Sequence, residues 1–262
     1  MRVTICLNGA TSRNLIAAAV FALAPSFGAP AFAAGFPGAF WTQSGRDMSG
    51  VDGTYSQGFF RQGALIGNPA GLPLQAYARL NWRMRSINAD YFNSYTPYAG
   101  AMVSSRYLDA GVEFGSPHYS GRSAGNKDHS VFINWFRYLG LKSWSKTSLV
   151  KALPLSSWGT AAYDLSGENG SSTLGWVKLE ADVLWMPKDW MAGPFISYDW
   201  RLRSHRAEYF NYSAPSLGFV VDNREVQFGI KYSWRDYPLL KHKDKGPEIF
   251  ISIYHPWDLK LY

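Results

Sequence analysis

EVQFGIKYSWR, residues 225–235, alternates without a lapse. One face carries Val226, Phe228, Ile230, Tyr232 and Trp234; the other carries Glu225, Gln227, Gly229, Lys231, Ser233 and Arg235. Successive side chains of a strand point to opposite sides, so this segment predicts a strand with one apolar and one polar face. QAYARLNWRMR, residues 75–85, repeats the pattern: Gln75, Tyr77, Arg79, Asn81, Arg83 and Arg85 against Ala76, Ala78, Leu80, Trp82 and Met84.

The same alternation extends outward along the chain. Leu108, Ala110, Val112 and Phe114 alternate with Asp109, Gly111 and Glu113. Val177, Leu179, Ala181, Val183 and Trp185 alternate with Lys178, Glu180 and Asp182, and Ile196, Tyr198, Trp200 and Leu202 with Ser197, Asp199, Arg201 and Arg203. Weaker candidates run over 55–64, 98–105, 130–139 and 158–165. Between them lie turn-forming pieces, among them Gly67-Asn68-Pro69-Ala70-Gly71, Ser116-Pro117, 121–128, 167–172 and Gly246-Pro247. No stretch reads as a long amphipathic helix. At about 9–11 residues per membrane strand, this spacing allows roughly 8 to 12 strands.

Two barrels fit such strands. A soluble, lipocalin-like barrel or a β-sandwich would turn its apolar faces inward, whereas a membrane barrel turns them out to lipid. Several apolar faces end in Trp or Tyr (Trp82, Trp185, Trp200, Tyr232, Trp234), as an aromatic girdle at a membrane interface requires. The opposite faces are crowded with long charged groups that need water or partners. The expected fold is therefore all-β, a single antiparallel transmembrane β-barrel of roughly 8–12 strands over residues 34–262.

Composition agrees. Aromatic residues make up 16% of the chain and charged residues 17%, while the mean hydropathy is −0.19. That balance argues against a bundle of transmembrane helices and fits lipid contact through alternate residues. Residues 1–33 read as a signal peptide: Arg2 and Arg13 flank the apolar core LIAAAVFAL (15–23), and Ala31-Phe32-Ala33 gives the small-x-small cleavage pattern. The core is shorter than the about 20 residues that span a bilayer; a retained amphipathic anchor is the alternative. The only cysteine, Cys6, lies in this segment, so a mature chain from Ala34 would form no disulfide and no thiolate metal site. Of the formal charge of +7, the segment holds Arg2 and Arg13, leaving +5. The one basic cluster, Lys241-His242-Lys243-Asp244-Lys245, is too short for a nucleic-acid patch and reads as a hydrophilic loop that could touch anionic lipid headgroups.

At the end of the chain Ile249, Ile251 and Ile253 alternate with Phe250, Ser252 and Tyr254. Alternation resumes after Pro256 through Trp257, Leu259 and Leu261, and the sequence stops at Tyr262. This resembles the terminal strand of bacterial outer-membrane proteins, whose final aromatic is recognised by the barrel-assembly machinery. Pro256 departs from an uninterrupted strand and implies a bulge, or pairing without a donor there. The resemblance implies an outer-membrane location after cleavage, with outer-membrane lipid and lipopolysaccharide as surroundings. The Trp- and Tyr-rich strands with inward Arg also resemble the barrels of exopolysaccharide-export and phage-adsorption outer-membrane proteins, which implies polysaccharide as a further partner.

If the polar faces point inward, the lumen holds Arg79, Arg83, Arg85, Arg137, Lys178, Arg201, Arg203, Lys231 and Arg235 against Asp109, Glu113, Glu180, Asp182, Asp199, Glu225 and Glu248. So near a balance in a narrow barrel predicts paired charges that fill the space; a passage for an anionic solute or polysaccharide is the alternative. No metal-ligand spacing, phosphate-cradling loop or nucleotide fingerprint is present, and no cofactor is implied. His118-Tyr119-Ser120, His129-Ser130 and Ser204-His205 are the close His and Ser pairings, and all fall at loops or strand ends. The leading expectation is a non-catalytic envelope channel or scaffold, with exopolysaccharide export as its context. The alternative is a barrel hydrolase acting on lipid A, phospholipid or peptide.

Overall fold

The computed structural model describes residues 35–260, except 50–52, 88, 90–92, 121–126, 143–148, 168–169, 206–210, 224 and 240. The expected signal peptide and Tyr262 lie outside the described residues. The strands are β1 (Gly35–Asp47), β2 (Thr54–Gly67), β3 (Leu74–Arg85), β4 (Ser94–Ser104), β5 (Leu108–Gly115), β6 (His118–Tyr119), β7 (Asp128–Lys142), β8 (Ala152–Asp164), β9 (Ser171–Glu180), β10 (Leu184–Met186), β11 (Trp190–Arg203), β12 (Tyr212–Asp222), β13 (Val226–Tyr237) and β14 (His242–Lys260). β6 carries on the pairing of β5 with β4, and β10 carries on that of β9 with β11.

The remaining twelve strands pair antiparallel with their neighbours, and β14 closes on β1 from Gly35↔Lys260 to Asp47↔Glu248. The sheet is thus a closed twelve-stranded barrel with no free edge. Twelve is the upper end of the expected range. Pro256 pairs with Ala39 in unbroken register, so the strand passes through it without a bulge and lacks one donor there. A register shift does occur between Leu65 and Gly67, ahead of the tight turn in which Ala70 and Gly71 have φ of 51° and 79°. Lys241 to Lys245 is less of a loop than expected, because β14 begins at His242 and pairs with the end of β13.

Glycines on the outer wall let aromatic rings lie flat. Gly159 and Gly175 are paired neighbours in β8 and β9, flanked by Trp135 of β7 and Trp200 of β11. A Cβ on Gly159 would stand 2.2 Å from the Trp135 ring, and one on Gly175 would stand 2.7 Å from Trp200. The two indoles meet above the glycines, stacked with centroids 6.3 Å apart.

Candidate functional site: the barrel lumen

The direction of the two faces decides what the barrel is. In β13, Phe228, Ile230 and Trp234 are 46%, 48% and 44% exposed, whereas Ser233 between them is 2% exposed. Leu80, Ile196, Leu217 and Ile249 are likewise exposed on their strands, and Gln75, Glu113, Ser130, Ser156, Glu180, Ser216, Asp222 and Glu248 are buried. A soluble barrel has the reverse polarity. Apolar side chains out and charges in is an arrangement stable in lipid, not in water.

Many of the inward charges meet in three groups. On β3 and β5, Arg79 Nη2 lies 2.8 and 2.6 Å from the two carboxylate oxygens of Glu113. Tyr77 donates to Glu113 at 2.9 Å, and Arg79 also packs its guanidinium over the Tyr98 ring. The second group centres on Arg235, which donates to Asp47, Asp244 and Glu248 at 3.0–3.4 Å. Lys231 also reaches Glu248 at 3.5 Å, and the Tyr55 hydroxyl donates to the same carboxylate. In the third, at the Gly35 end of the lumen, Lys178 contacts Glu180 at 2.8 Å and Asp222 at 3.8 Å. Asp182 is buried beside this group with no hydrogen-bond partner on either oxygen. It lies beyond the end of β9, and burial raises its carboxyl above the usual range.

Two apolar clusters, Tyr77–Met102–Phe132 and Phe195–Val220–Phe250, stand on opposite walls between these groups. Beyond them, towards the mouth opposite Gly35, a cavity of about 110 Å³ remains. Arg83 and Arg85 line it from β3; Asp199 and Arg201 from β11; Lys231 and Arg235 from β13; Glu248 from β14. β3 and β11 face each other across the barrel, six strands apart either way. The lining thus holds five cations and two acids, and Asp47 and Asp244 meet Arg235 from beside it, so the positive charge lies with Arg83, Arg85 and Arg201 on the facing walls.

Most of the expected lumen charges take their places, with two corrections. Arg137 faces outward and is exposed, packed over the Tyr107 ring, because its register partner Ser157 pairs with outward Val177. Glu225 is not in a strand: it sits in the turn before β13, exposed, 3.6 Å from His255. Asp109 faces Arg61 at 3.6 Å, and Arg203 ends β11 near the opposite mouth. Sequence reasoning missed Arg61, Asp47, Asp222 and Asp244. Arg61 was legible, since it shares the face of Tyr55 and Gln57 in β2.

The histidine pairings do not assemble a catalytic pair. His129 faces out against Phe114, while Ser130 turns in towards Glu113. His118 stacks on Tyr95, and the Ser120 hydroxyl donates to the Ala89 carbonyl. The Ser204 hydroxyl accepts the Ser171 N–H. Among the described residues none of these His and Ser pairs shares a hydrogen bond, so the hydrolase alternative has no geometric support. The described residues also contain no group of three His, Cys, Asp or Glu placed to hold a metal.

The chain has the architecture of a closed transmembrane β-barrel. No protein-family model and no curated protein matches its sequence. Among solved structures it is similar to an outer-membrane channel from Pseudomonas putida F1, at 11% identity and a TM-score of 0.41 over 89% of this chain and 98% of that one. The β-domain of the Bordetella autotransporter BrkA gives 10% and 0.39 over 86% and 100%. The KdgM porin gives 6% and 0.32 over 83% and 98%. Likeness at this level says nothing of solute.

Proposed function

We propose that the barrel is a non-catalytic channel of the outer membrane, narrow in bore and selective for anions. The observation that carries this reading is the cavity near the mouth opposite Gly35, where Arg83, Arg85 and Arg201 stand on facing walls in addition to Lys231 and Arg235, which meet the acids Asp47, Asp244 and Glu248. A positive field over a confined entrance concentrates anions and repels cations. Below it, the ion pairs and the two apolar clusters leave little free section, so the conductance is small. With β6 and β10 counted in their ladders, five of the six connections at this mouth are six residues or longer, against two of the five at the Gly35 mouth. Longer loops mark the extracellular side of such barrels, so the basic entrance faces outward. Export of an acidic polymer and uptake of its fragments would both use this polarity.

Planar-bilayer recording of the refolded protein tests the reading. Small, steady currents with a reversal potential favouring chloride over potassium are expected, and Arg201→Gln should reduce that preference. A barrel that carries no current, or one that prefers potassium, would overturn the channel reading.

A further inference from the structure

We infer that the basic entrance is a binding site for an acidic oligosaccharide, a chain of sugar rings bearing carboxylates; this rests on the channel reading above and names its substrate class. Three features converge on it. First, the cations do not close on one point as they would around a single phosphate. Arg83 and Arg85 are two residues apart on one strand, about 7 Å along it, while Arg201 stands on the facing wall, with Lys231 and Arg235 near it held by Glu248, Asp47 and Asp244. Charges spread along two walls match an anion whose charges are spread along a chain. Planar guanidinium groups also suit carboxylates.

Second, uncharged hydrogen-bonding groups lie between the cations. Gln43 and Gln57 are register partners in β1 and β2, and both line the cavity with Tyr55. Gln43 donates to the Tyr55 hydroxyl at 3.1 Å, yet each amide carries two donors and an acceptor that can serve hydroxyls. An inorganic anion would have no use for them. Third, an aromatic step lies directly below: Trp41 and Phe59 are the next inward-facing pair on the same two strands, their ring centroids 6.2 Å apart. The Trp41 indole N–H is held by Ser252 at 3.2 Å. A sugar ring has a C–H face that packs on an aromatic and a hydroxyl rim that pairs with amides. Carboxylate, hydroxyl rim and C–H face thus each find a counterpart within one turn of the wall.

The test uses the full mature barrel, refolded in detergent and in planar bilayers, with a trimer to hexamer of a uronic acid as probe. The uncharged oligomer of the parent sugar and a single-stranded oligonucleotide of similar length are comparators. The oligouronate is expected to interrupt the chloride current from the outward side. Isothermal titration should show binding at least tenfold tighter than either comparator. Trp41→Ala should weaken it about tenfold, the scale of one aromatic contact, and Arg83→Gln by a similar factor. Phe228→Leu on the outer face should leave it alone. Equal binding of the neutral oligomer or the oligonucleotide would overturn the assignment, as would titration without heat. Chloride current with no block and no heat would sink the saccharide site and leave the channel standing. Oligouronate binding without any current would do the opposite.

Discussion

Removing Arg79 offers a direct measure of how dry the middle of the lumen is. Its side chain is 18% exposed and that of Glu113 is 9%. Both carboxylate oxygens of Glu113 face the guanidinium, with the Tyr77 hydroxyl as a further donor. Deleting one partner of a buried pair costs about 3–5 kcal/mol, because the other charge is stranded without water. Glu113 would keep Tyr77, and Arg79 has some contact with solvent, so Arg79→Met should cost about 2–3 kcal/mol. Glu113→Gln should cost a similar amount, since it leaves the guanidinium over the Tyr98 ring without its carboxylate. The double variant should cost less than the sum by at least about 1.5 kcal/mol, because no charge is then left alone. Urea unfolding of the refolded barrel in phospholipid vesicles, followed by tryptophan fluorescence, reads all three. Single variants each within about 0.5 kcal/mol of wild type, and additive, would mean hydrated charges in a wet pore. That result would refute the paired interior and widen the channel proposed here.

Three further outcomes are expected. Ile230→Arg on the lipid face should cost about 2–4 kcal/mol in vesicles, whereas Ser233→Ala, inside, should lose about 1 kcal/mol with its hydrogen bond to Ser216; an Ile230→Arg barrel as stable as wild type would mean no lipid there. Burial raises the Asp182 carboxyl, so its protonated form favours the folded barrel and the penalty of ionisation grows as pH rises. Asp182→Asn should therefore be more stable than wild type at pH 8, the gap closing towards acid pH; a gap that widens on acidification contradicts the buried, unpartnered carboxyl. N-terminal sequencing of the protein from outer-membrane fractions should begin at Ala34, and a start at Met1 would remove the signal peptide.

The strands that were legible are those whose two faces differ in polarity. β3 and β13 could be read residue by residue, because lipid demands apolar side chains on one face and the lumen tolerates charge on the other. β12 was not, and the structure shows why: its inward face is Ala214, Ser216, Gly218 and Val220, and Val220 packs with Phe195 and Phe250 instead of pairing with a charge. An inward apolar cluster erases the contrast on which the reading depends. Arg137 failed in the same way. The inward face of β7 carries Phe132 and the outward face Val131 and Ile133, so nothing in the alternation says which side a lone arginine takes. β1 was hidden by Gly35, Pro37, Gly38 and Gly45, although it closes the barrel on β14. Pairing was the deeper gap. Arg235 and Asp47 stand 188 residues apart and meet because β1, β14 and β13 are neighbours after closure. A list of nine bases and seven acids predicts that charges will pair, but it cannot say that Arg83, Arg85 and Arg201 gather on facing walls of one mouth. That gathering follows from register and closure, and it is the feature from which the proposed selectivity derives.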